Sequence, residues 1–498
     1  MTELDATAPP EPSATTTPGT KTPERSVSGR SAPGRHGPAA NSPAPQGPRG
    51  AYGMDAVTVL TGYVLLAMFI PSNLVLPGMG GVGTPANVVA LLGLLWYLAA
   101  WLTERIVPAR GTHAPRIAMV VFGVAVLLAY IACAGRPAIT KEMQGADRGL
   151  IALLVWTGLV VVSSSGIRSR ARLEILLRRL VVCASIVALL GWYDFLTHTN
   201  IASSLHIPGL QSSAAGFETM SRGAFTRPRG TTGHPLEFSG MLAMLLPFAV
   251  QQAFDPARYH RGRLRRWLPV FLIGGALPLS VSRTGIIGVG VALLAMLPAW
   301  RPQRRGYVLG TVGFGVLGLG AAVPGLLSTL TGLFSSFFSN TDSSTQARTG
   351  DYAKIWEYMQ DSPWVGHGMG TFLPELYFFT DNMYLLTAAE MGFFGIAALL
   401  LLFLTGLHCG GAARRLAGDE PTRELAQCFV AAAAVALVSS ATFDSLGFPM
   451  FAGMFFLLLG SSGSLLGSLR HPAPPAAAWA GPAPGAAAVP GAAVGAAR

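Results

Sequence analysis

Residues 380–408 read TDNMYLLTAAEMGFFGIAALLLLFLTGLH, in which Asp381 and Asn382 lead directly into an apolar run. That run is long enough to cross a bilayer as a helix, which needs roughly 20 residues. The preceding segment, 324–382, separates it from an earlier apolar run and carries more polar residues. Charge meets the start of a membrane helix at this junction, and we expect any chemistry of the protein there.

The composition indicates a polytopic membrane protein. The 498 residues are 51% hydrophobic and only 12% charged, whereas a soluble domain carries about 25% charged residues. The net charge of +11 comes from short basic clusters between apolar segments. Membrane topology explains that pattern better than a phosphate-binding face does, so we expect no nucleic-acid partner.

Twelve apolar segments have about the length of a membrane-spanning helix. The predicted fold is therefore all-α, a polytopic membrane helix bundle of about 12 transmembrane helices with a large extracytoplasmic loop between helices 9 and 10. The segments run at 55–76, 85–103, 116–134, 148–165, 175–196, 235–254, 267–282, 283–300, 306–324, 382–408, 424–441 and 446–468.

The distribution of basic residues predicts the orientation of the bundle, because cytoplasmic loops carry an excess of Lys and Arg. If the N-terminus lies inside, 26 of the 35 Lys and Arg residues fall in inner segments. We therefore expect a multi-pass protein of the cell membrane with both termini cytoplasmic. Loss of one span would reverse every later loop and spoil this bias.

The two tails differ in composition from the apolar domain 54–469. Residues 1–53 are rich in Pro, Ser, Thr, Gly and Ala, and residues 470–498 are rich in Ala, Pro and Gly. Both are predicted to be disordered cytoplasmic tails, since they have too little apolar surface to bury. No secretory signal is expected, because the first apolar run begins near Asp55.

Two predicted extracytoplasmic loops are long, 197–234 and 324–382. The second contains two predicted helices with one apolar stripe each, which suits a position on the membrane surface or over the bundle. Three glycines, Gly366, Gly368 and Gly370, then give a flexible turn before the tenth span. This loop is predicted to form a lid. The first stripe is Leu330, Leu333, Phe334, Phe337 and Phe338, and the second is Tyr352, Ile355, Trp356 and Met359.

Four arginines on the predicted outer side are candidates for anion binding: Arg227, Arg229, Arg283 and Arg348. Guanidinium groups match phosphate geometry, bind it bidentately and keep their charge. Arginines that converge at the outer surface would suit a diphosphate headgroup. Arg283 has apolar helix on both sides, where a charge is costly unless it is paired or solvated. The alternative for each arginine is ordinary interfacial snorkelling.

Two acidic residues near the tenth span are candidates for proton transfer. Asp381 directly precedes the span and would take a proton from a hydroxyl; its alternative role is that of a helix N-cap. Glu390 lies nine residues further on, about 13 Å into the helix at 1.5 Å per residue. An acid inside the membrane suggests function, and a buried structural hydrogen bond is the alternative.

Two histidines, His234 and His367, are predicted at turns near the same surface. Either is a possible base, although a lone histidine is more often a structural donor. The secondary candidates are Glu237, Asp194 and Asp444. No group of His, Cys, Asp and Glu has metal-ligand spacing, so we expect no metal site.

Three segments of the chain follow one another in a recognisable order. The first is RPRGTTGHP at 227–235, and the second is SVSRTG at 280–285. The third comprises Arg348, Trp356, SPWVGHGMGTF at 362–372, Asp381-Asn382-x-Tyr384-Leu385 and Glu390-x-Gly392-x-x-Gly395. Together, over roughly 225–408, they resemble the O-antigen ligase and O-antigen polymerase family of polytopic membrane glycosyltransferases.

The resemblance implies transfer of a polyprenyl-diphosphate-linked glycan to a hydroxyl of a glycan or lipid acceptor, on the outer face of the membrane and in cell-surface polysaccharide biosynthesis. It implies that Arg283 and Asp381 are catalytic, with Asp381 as the base. Substrate would be bound by Arg227, Arg229, Arg348, His234, His367, Asn382 and Glu390. A diphosphate is a good leaving group, so the expected enzyme needs neither metal nor other cofactor. The expected mechanism is a single displacement, which would invert the anomeric carbon.

The sequence departs from the family at one important position. Ligases have His-Asn before the tenth span, whereas this chain has Asp381-Asn382, which favours a polymerase or another glycan transferase over a strict lipid A ligase. The main alternative function is a 12-helix transporter or lipid-linked glycan flippase. A third is a structural membrane partner in an envelope assembly, with the large loop as its docking surface.

Overall fold

The computed structural model describes residues 55–103, 113–213, 221–222, 225–255, 262–339 and 352–471. Each of the twelve predicted apolar segments is helical in this part of the chain, so the all-α class is confirmed. Nearly all of both predicted tails lies outside the described residues, as does Arg348. The predicted disorder of the tails therefore stays a prediction.

The described part of the chain contains fourteen α-helices, which we number in chain order. They are α1 Ala56–Phe69, α2 Pro85–Leu102, α3 His113–Ala134, α4 Thr140–Gly166, α5 Arg170–Thr197, α6 Pro235–Phe254, α7 Arg263–Leu279, α8 Arg283–Met296, α9 Pro302–Ala322, α10 Leu326–Ser339, α11 352–359, α12 Met383–Leu416, α13 Glu420–Ser439 and α14 Pro449–Arg470.

Several helices begin at a polar residue that caps the first turn. The Thr84 side chain accepts the N–H of Asn87 at 3.3 Å at the start of α2, and Asp419 accepts that of Thr422 at 3.1 Å at the start of α13. Such caps satisfy amide groups that have no partner inside the helix. Proline within the first two helical positions of α2, α6 and α14 adds to these start signals.

Two short antiparallel ribbons lie in the loops. Strand β1, Leu74–Val75, pairs with β2, Gln211–Ser212. Strand β3, Ser221–Arg222, pairs with β4, Phe225–Thr226. The first ribbon joins the loop after α1 to the long loop after α5, and the second lies directly before the arginine-rich segment at 227–229.

The number of membrane spans is not confirmed. Six helices are long and apolar enough to cross a membrane, and the pair α9 and α10, bent by 117°, would make a seventh if it is one broken span. Other helices, such as α1 and α8, have only 14 residues, about 21 Å at 1.5 Å per residue. That is less than the ~30 Å hydrocarbon core, so twelve spans remain a prediction.

The core of the bundle is centred on α6 and α14. The apolar window of α14 is completely buried, and Phe238, Phe248, Phe451 and Phe456 have no exposed surface. Gly460 allows α14 to approach α4 closely, because a Cβ there would lie 2.7 Å from the Val160 carbonyl oxygen. The four cysteines are buried and free, as expected of small core residues.

Helix α12 is interrupted at Gly392, which has φ 60° and ψ −158°. The helix therefore consists of two segments, 383–391 and 393–416. The sequence predicted one uninterrupted span, which is wrong at this point. Hydropathy does not detect such a break, because Met391 and Phe393 on its two sides are apolar.

The large loop before α12 contains both of the predicted helices, α10 and α11. In α11 the predicted stripe divides: Ile355 and Met359 are buried near Phe372 and Ala389, whereas Tyr352 and Trp356 are exposed. Only half of the predicted apolar stripe therefore packs against the bundle.

Candidate functional site

The segment that carries Arg227 and Arg229 is held by a buried carboxylate. Asp194, near the end of α5, is only 2% exposed. One of its oxygens accepts the N–H of Gly230 at 2.8 Å and that of Arg229 at 3.3 Å. Asn200 donates to the same oxygen at 2.7 Å. Asp194 therefore fixes the backbone from which both arginine side chains project.

His234 ends this segment as the N-cap of α6. Its Nδ1 accepts the N–H of Leu236 at 3.1 Å, so that nitrogen carries no proton. Burial and the positive charges of Arg227 and Arg229 lower the pKa of His234 to about 4. At neutral pH the imidazole is therefore uncharged, and its Nδ1 is occupied in capping.

Glu237, one turn into α6, joins three parts of the bundle. Its carboxylate accepts the N–H of Gly233 at 2.8 Å, the N–H of Met450 at 2.7 Å and the hydroxyl of Ser72 at 3.2 Å. The side chain is completely buried. These bonds join the loop after α1, the start of α6 and the start of α14.

The turn between α7 and α8 lies beside the arginine segment. Arg227 donates from Nε to the carbonyl oxygen of Ser280 at 3.3 Å. Val281 follows with φ 44°, a left-handed conformation that is strained for a β-branched residue. Arg283 is the first residue of α8. Because a helix N-terminus attracts anions, the guanidinium of Arg283 adds to a site that already favours negative charge.

The same turn contacts the elements that hold the start of α12. The hydroxyls of Thr284 and Thr442 lie 2.7 Å apart, which joins α8 to the turn after α13. In that turn Ser440 accepts the N–H of Met383, the first residue of α12, at 2.8 Å. A continuous series of contacts therefore leads from Arg227 through the α7–α8 turn to the residues beside Asp381.

Asn382, rather than Asp381, caps α12. The Asn382 side-chain oxygen accepts the N–H of Tyr384 at 2.9 Å and that of Leu385 at 3.3 Å. Asp381 is exposed directly before the cap. The capping role that the sequence left open for Asp381 is therefore wrong, because its neighbour fills that role.

Asp444, between α13 and α14, is a second acid at this position. Burial raises its pKa to about 7, and the negative charges of Asp381 and Glu237 contribute in the same direction. The hydroxyl of Ser445, the next residue, lies 2.7 Å from that of Ser440, whose carbonyl oxygen accepts the N–H of Met383. Asp444 is thereby held at the same turn as the start of α12. Asp444 is therefore poised to change its charge near neutral pH, beside the candidate base.

His367 and Glu390 meet at the break in α12 rather than at the arginines. His367 is 7% exposed and Glu390 is 5% exposed. The Nδ1 of His367 lies 3.3 Å from the carbonyl oxygen of Ala389. The Glu390 carboxylate accepts the N–H of Phe372 at 3.3 Å. Both side chains bind backbone groups at this point.

The large loop is also attached to the start of α4, through contacts that the sequence did not predict. The Tyr377 hydroxyl donates to the buried carboxylate of Glu142, which forms an ion pair with Arg136 at 3.0 Å. Tyr358 lies against His367, with ring centroids 4.2 Å apart. The only signal available was the opposite charge of Arg136 and Glu142 across one short predicted loop.

The predicted site residues therefore separate into two groups. The first lies at the start of α6, α8 and α12, and the second at the break in α12. In the described ranges no group of three or more His, Cys, Asp or Glu side chains is arranged to hold a metal ion. The first group is Arg227, Arg229, His234, Arg283, Asp381 and Asn382, and the second is His367 and Glu390.

Comparison with known families covers residues of both groups, Arg283, Asp381 and Asn382 of the first and His367 and Glu390 of the second. Residues 268–400 match the family model described as O-antigen ligase, a segment that contains Arg283, the large loop and the first part of α12. None of the curated proteins compared matches the chain. Residues 268–400 are thus similar to the O-antigen ligase family, within an all-α, multi-pass membrane protein.

Proposed function

We propose that the protein is a membrane glycosyltransferase that moves a glycan from a polyprenyl-diphosphate donor to an acceptor hydroxyl, at the outer face of the cell membrane. The O-antigen ligase domain supports a function of this general type. Asp381 in place of the histidine of ligases favours a polymerase, or another glycan transferase, over a lipid A ligase.

The observation that carries this proposal is the position of the arginines relative to Asp381. Arg227 bonds the turn that precedes Arg283, and the residue after Arg283 contacts the turn after α13. That turn also binds the first residue of α12, two residues after Asp381. Cationic groups suited to a diphosphate are thereby brought to the same end of the bundle as a carboxylate suited to accept a proton.

The proposed reaction is a single displacement. The oxygen of the acceptor hydroxyl forms a bond to the anomeric carbon, while the bond from that carbon to the diphosphate oxygen breaks. The hydroxyl proton passes to the Asp381 carboxylate, a step that typically contributes about 10²–10⁴-fold to the rate. The negative charge on the departing diphosphate is stabilised by Arg227, Arg229, Arg283 and, by resemblance, Arg348.

Each remaining polar residue of this group has a supporting role. Asp194 fixes the backbone of Arg229 and Gly230, and neutral His234 caps α6 beside the arginines. Attack from the side opposite the diphosphate inverts the anomeric centre. The expected reaction requires no metal, because the arginines supply the positive charge that the leaving group needs.

Purified full-length protein in proteoliposomes tests the proposal. The substrates are polyprenyl-diphosphate-linked glycan and acceptor glycan, both extracted from cells that express the protein. Release of polyprenyl diphosphate with formation of a longer or newly attached glycan supports a transferase. Movement of unchanged donor across the vesicle membrane contradicts it and supports a flippase.

Two arginine variants, assayed side by side, test whether the activity depends on the proposed diphosphate site. Arg283→Ala should lower kcat/KM for the donor by about 100-fold, since it removes a charged contact to the leaving group. Arg301→Ala is the matched control, because Arg301 is exposed and pairs with Glu420 at the opposite end of α8. Equal activity of the two variants would contradict the diphosphate assignment.

A further inference from the structure

The break in α12 leaves four backbone groups without their helical partners. In an unbroken helix the N–H groups of residues 393 and 394 would bond the carbonyl oxygens of residues 389 and 390. The conformation of Gly392 removes both bonds. In the interior of a membrane, each backbone polar group without a hydrogen bond costs on the order of several kcal/mol of free energy. They therefore require other partners.

Residues 363–368 of the large loop supply all four partners. The carbonyl oxygen of Pro363 accepts the N–H of Phe393 at 2.9 Å, and that of Trp364 accepts the N–H of Phe394 at 3.1 Å. In the other direction, the N–H of Gly368 donates to the carbonyl oxygen of Glu390 at 2.8 Å. His367 bonds the remaining carbonyl, that of Ala389, at 3.3 Å.

The His367 contact defines the proton on the imidazole. A carbonyl oxygen can only accept, so the Nδ1 of His367 carries the hydrogen. Burial lowers the pKa of His367, which agrees with a neutral ring. Of the four hydrogen bonds that replace the helical ones, three join backbone groups. The fourth is made by the His367 side chain.

The loop fits the break only because two glycines allow close approach. Gly366 has φ 68°, and a Cβ at this position would overlap the backbone of Glu390. A Cβ on Gly392 would lie 2.5 Å from the Pro363 carbonyl oxygen. The Glu390 side chain closes the arrangement, because it accepts the N–H groups of Phe372 and Gly370.

We infer that residues 363–372 form a clamp that replaces the missing turn of α12, and that His367 and Glu390 are positioning residues rather than groups that contact substrate. The clamp fixes the far end of the segment 383–391. The near end is fixed by the Asn382 cap and by the bond from Met383 to Ser440. A helix of nine residues, about 13 Å long, is thereby held at both ends with Asp381 at its start.

The consequence for catalysis rests on the proposed function. The clamp sets the direction of the segment 383–391, which begins two residues after Asp381. A movement of the large loop would therefore also move the candidate base. Loosening the clamp should lower kcat, because a displacement of about 1 Å in a reacting group can cost about 100-fold. The donor KM should change less than kcat, because three of the four proposed diphosphate contacts lie on α8 and on the segment before α6, and only Arg348 belongs to the large loop.

Substitutions at His367 separate positioning from proton transfer. His367→Ala should lower kcat by about 100-fold. His367→Asn should recover most of that loss, because an amide nitrogen can occupy the place of Nδ1 and donate to the Ala389 carbonyl. Glu390→Gln should retain most activity, since its carbonyl oxygen still accepts the two loop N–H groups. His206→Ala, an exposed histidine in the other long loop, is the control.

Hydrogen–deuterium exchange gives a readout that does not depend on catalysis. In His367→Ala the amides of 363–372 and 389–394 should exchange faster than in the wild type, and in His367→Asn they should not. If His367→Asn is as inactive as His367→Ala while exchange is unchanged in both, the clamp assignment is overturned. If wild-type protein transfers no glycan, the exchange pattern still decides the clamp, and only the proposed function fails.

Discussion

The two ends of the segment 383–391 carry acidic residues that are used in different ways. At its far end, Glu390 accepts backbone N–H groups of the large loop. At its near end, Asn382 accepts the first free N–H groups of α12, and Asp381 lies exposed beside it. Both acids stand next to apolar sequence and look alike in a hydropathy plot. An acid that accepts backbone N–H groups has a structural role, so the hydrogen-bond partners of an acid must be identified before a chemical role is given to it.

The same distinction applies to the other buried acids. Asp194 and Glu237 each accept backbone N–H groups from a neighbouring segment. Asp444, in contrast, lies between α13 and α14 and interacts electrostatically with Asp381. The acids that accept backbone N–H groups stabilise the structure of the site. The charges of Asp381 and Asp444, in contrast, affect the proposed reaction.

The largest effect is expected from Asp381→Asn. Removal of a general base should lower the transfer rate by about 10²–10⁴-fold, while the start of α12 stays capped, because the cap is Asn382. Release of polyprenyl diphosphate measures the rate. Asp147→Asn, an exposed aspartate that bonds Tyr130 on α3, is the control. Full activity of Asp381→Asn would show that the near end of the segment is also purely structural.

A substitution at the break tests the other side of the comparison. Gly392→Ala should destabilise the protein by about 1–3 kcal/mol through its left-handed backbone alone, with a further cost from contact with the Pro363 carbonyl oxygen. Thermal unfolding in detergent measures this loss. Gly290→Ala on α8 is the control, because open space surrounds the site and alanine favours a helix. Equal melting temperatures for both variants would disprove a tightly held break.

The acid pair predicts a pH effect on donor binding. The raised pKa of Asp444, about 7, means that the side chain is neutral below that pH and negative above it. Ionisation adds a negative charge beside Asp381 and opposes an anionic donor. The donor KM should therefore rise several-fold as pH increases through about 7, and Asp444→Asn should abolish that rise. A variant that keeps the wild-type profile would assign the titration to another group.

The smallest effects are expected where the loop meets α4. Tyr377→Phe removes a hydrogen bond to the buried Glu142 carboxylate and should cost about 1–2 kcal/mol of unfolding free energy. Lys141→Ala breaks an exposed ion pair with Glu375, which water and salt screen, so its loss of stability should be the smaller of the two. Denaturant titration compares them. A larger loss from Lys141→Ala would mean that surface charge, rather than the buried contact, holds the loop.

Much of the fold could be predicted from the sequence, because burial in a membrane demands long apolar helices. Each predicted segment is helical, and α8 begins at Arg283, the first residue of the predicted span 283–300. The preceding helix, α7, ends at Leu279, three residues before the predicted end at 282. The helix ends were less accurate: α4 begins at Thr140 rather than 148, and α12 continues to Leu416. Hydropathy marks the part of a helix that lipid or core surrounds, whereas backbone hydrogen bonding continues into polar residues.

The candidate site was predictable in part. The grouping of arginines near one end follows from their positions at the starts of predicted spans, and Asp381 stood out by its place before the tenth. The division of the acids did not follow, since it depends on burial and on which backbone amides lie nearby. Glu390 is buried and accepts the amides of Gly370 and Phe372, whose positions depend on the path of the large loop. The Tyr384 amide is bonded by Asn382 rather than by exposed Asp381.

The sequence alone determined that this chain is a helical membrane protein with an O-antigen ligase-like order of motifs, because apolar run lengths and short polar motifs are local properties. Only the tertiary structure decided that α12 is broken at Gly392 and that residues 363–368 complete it. The physical reason is that a missing helical hydrogen bond must find a partner, and which distant segment supplies it depends on packing in three dimensions rather than on any local pattern.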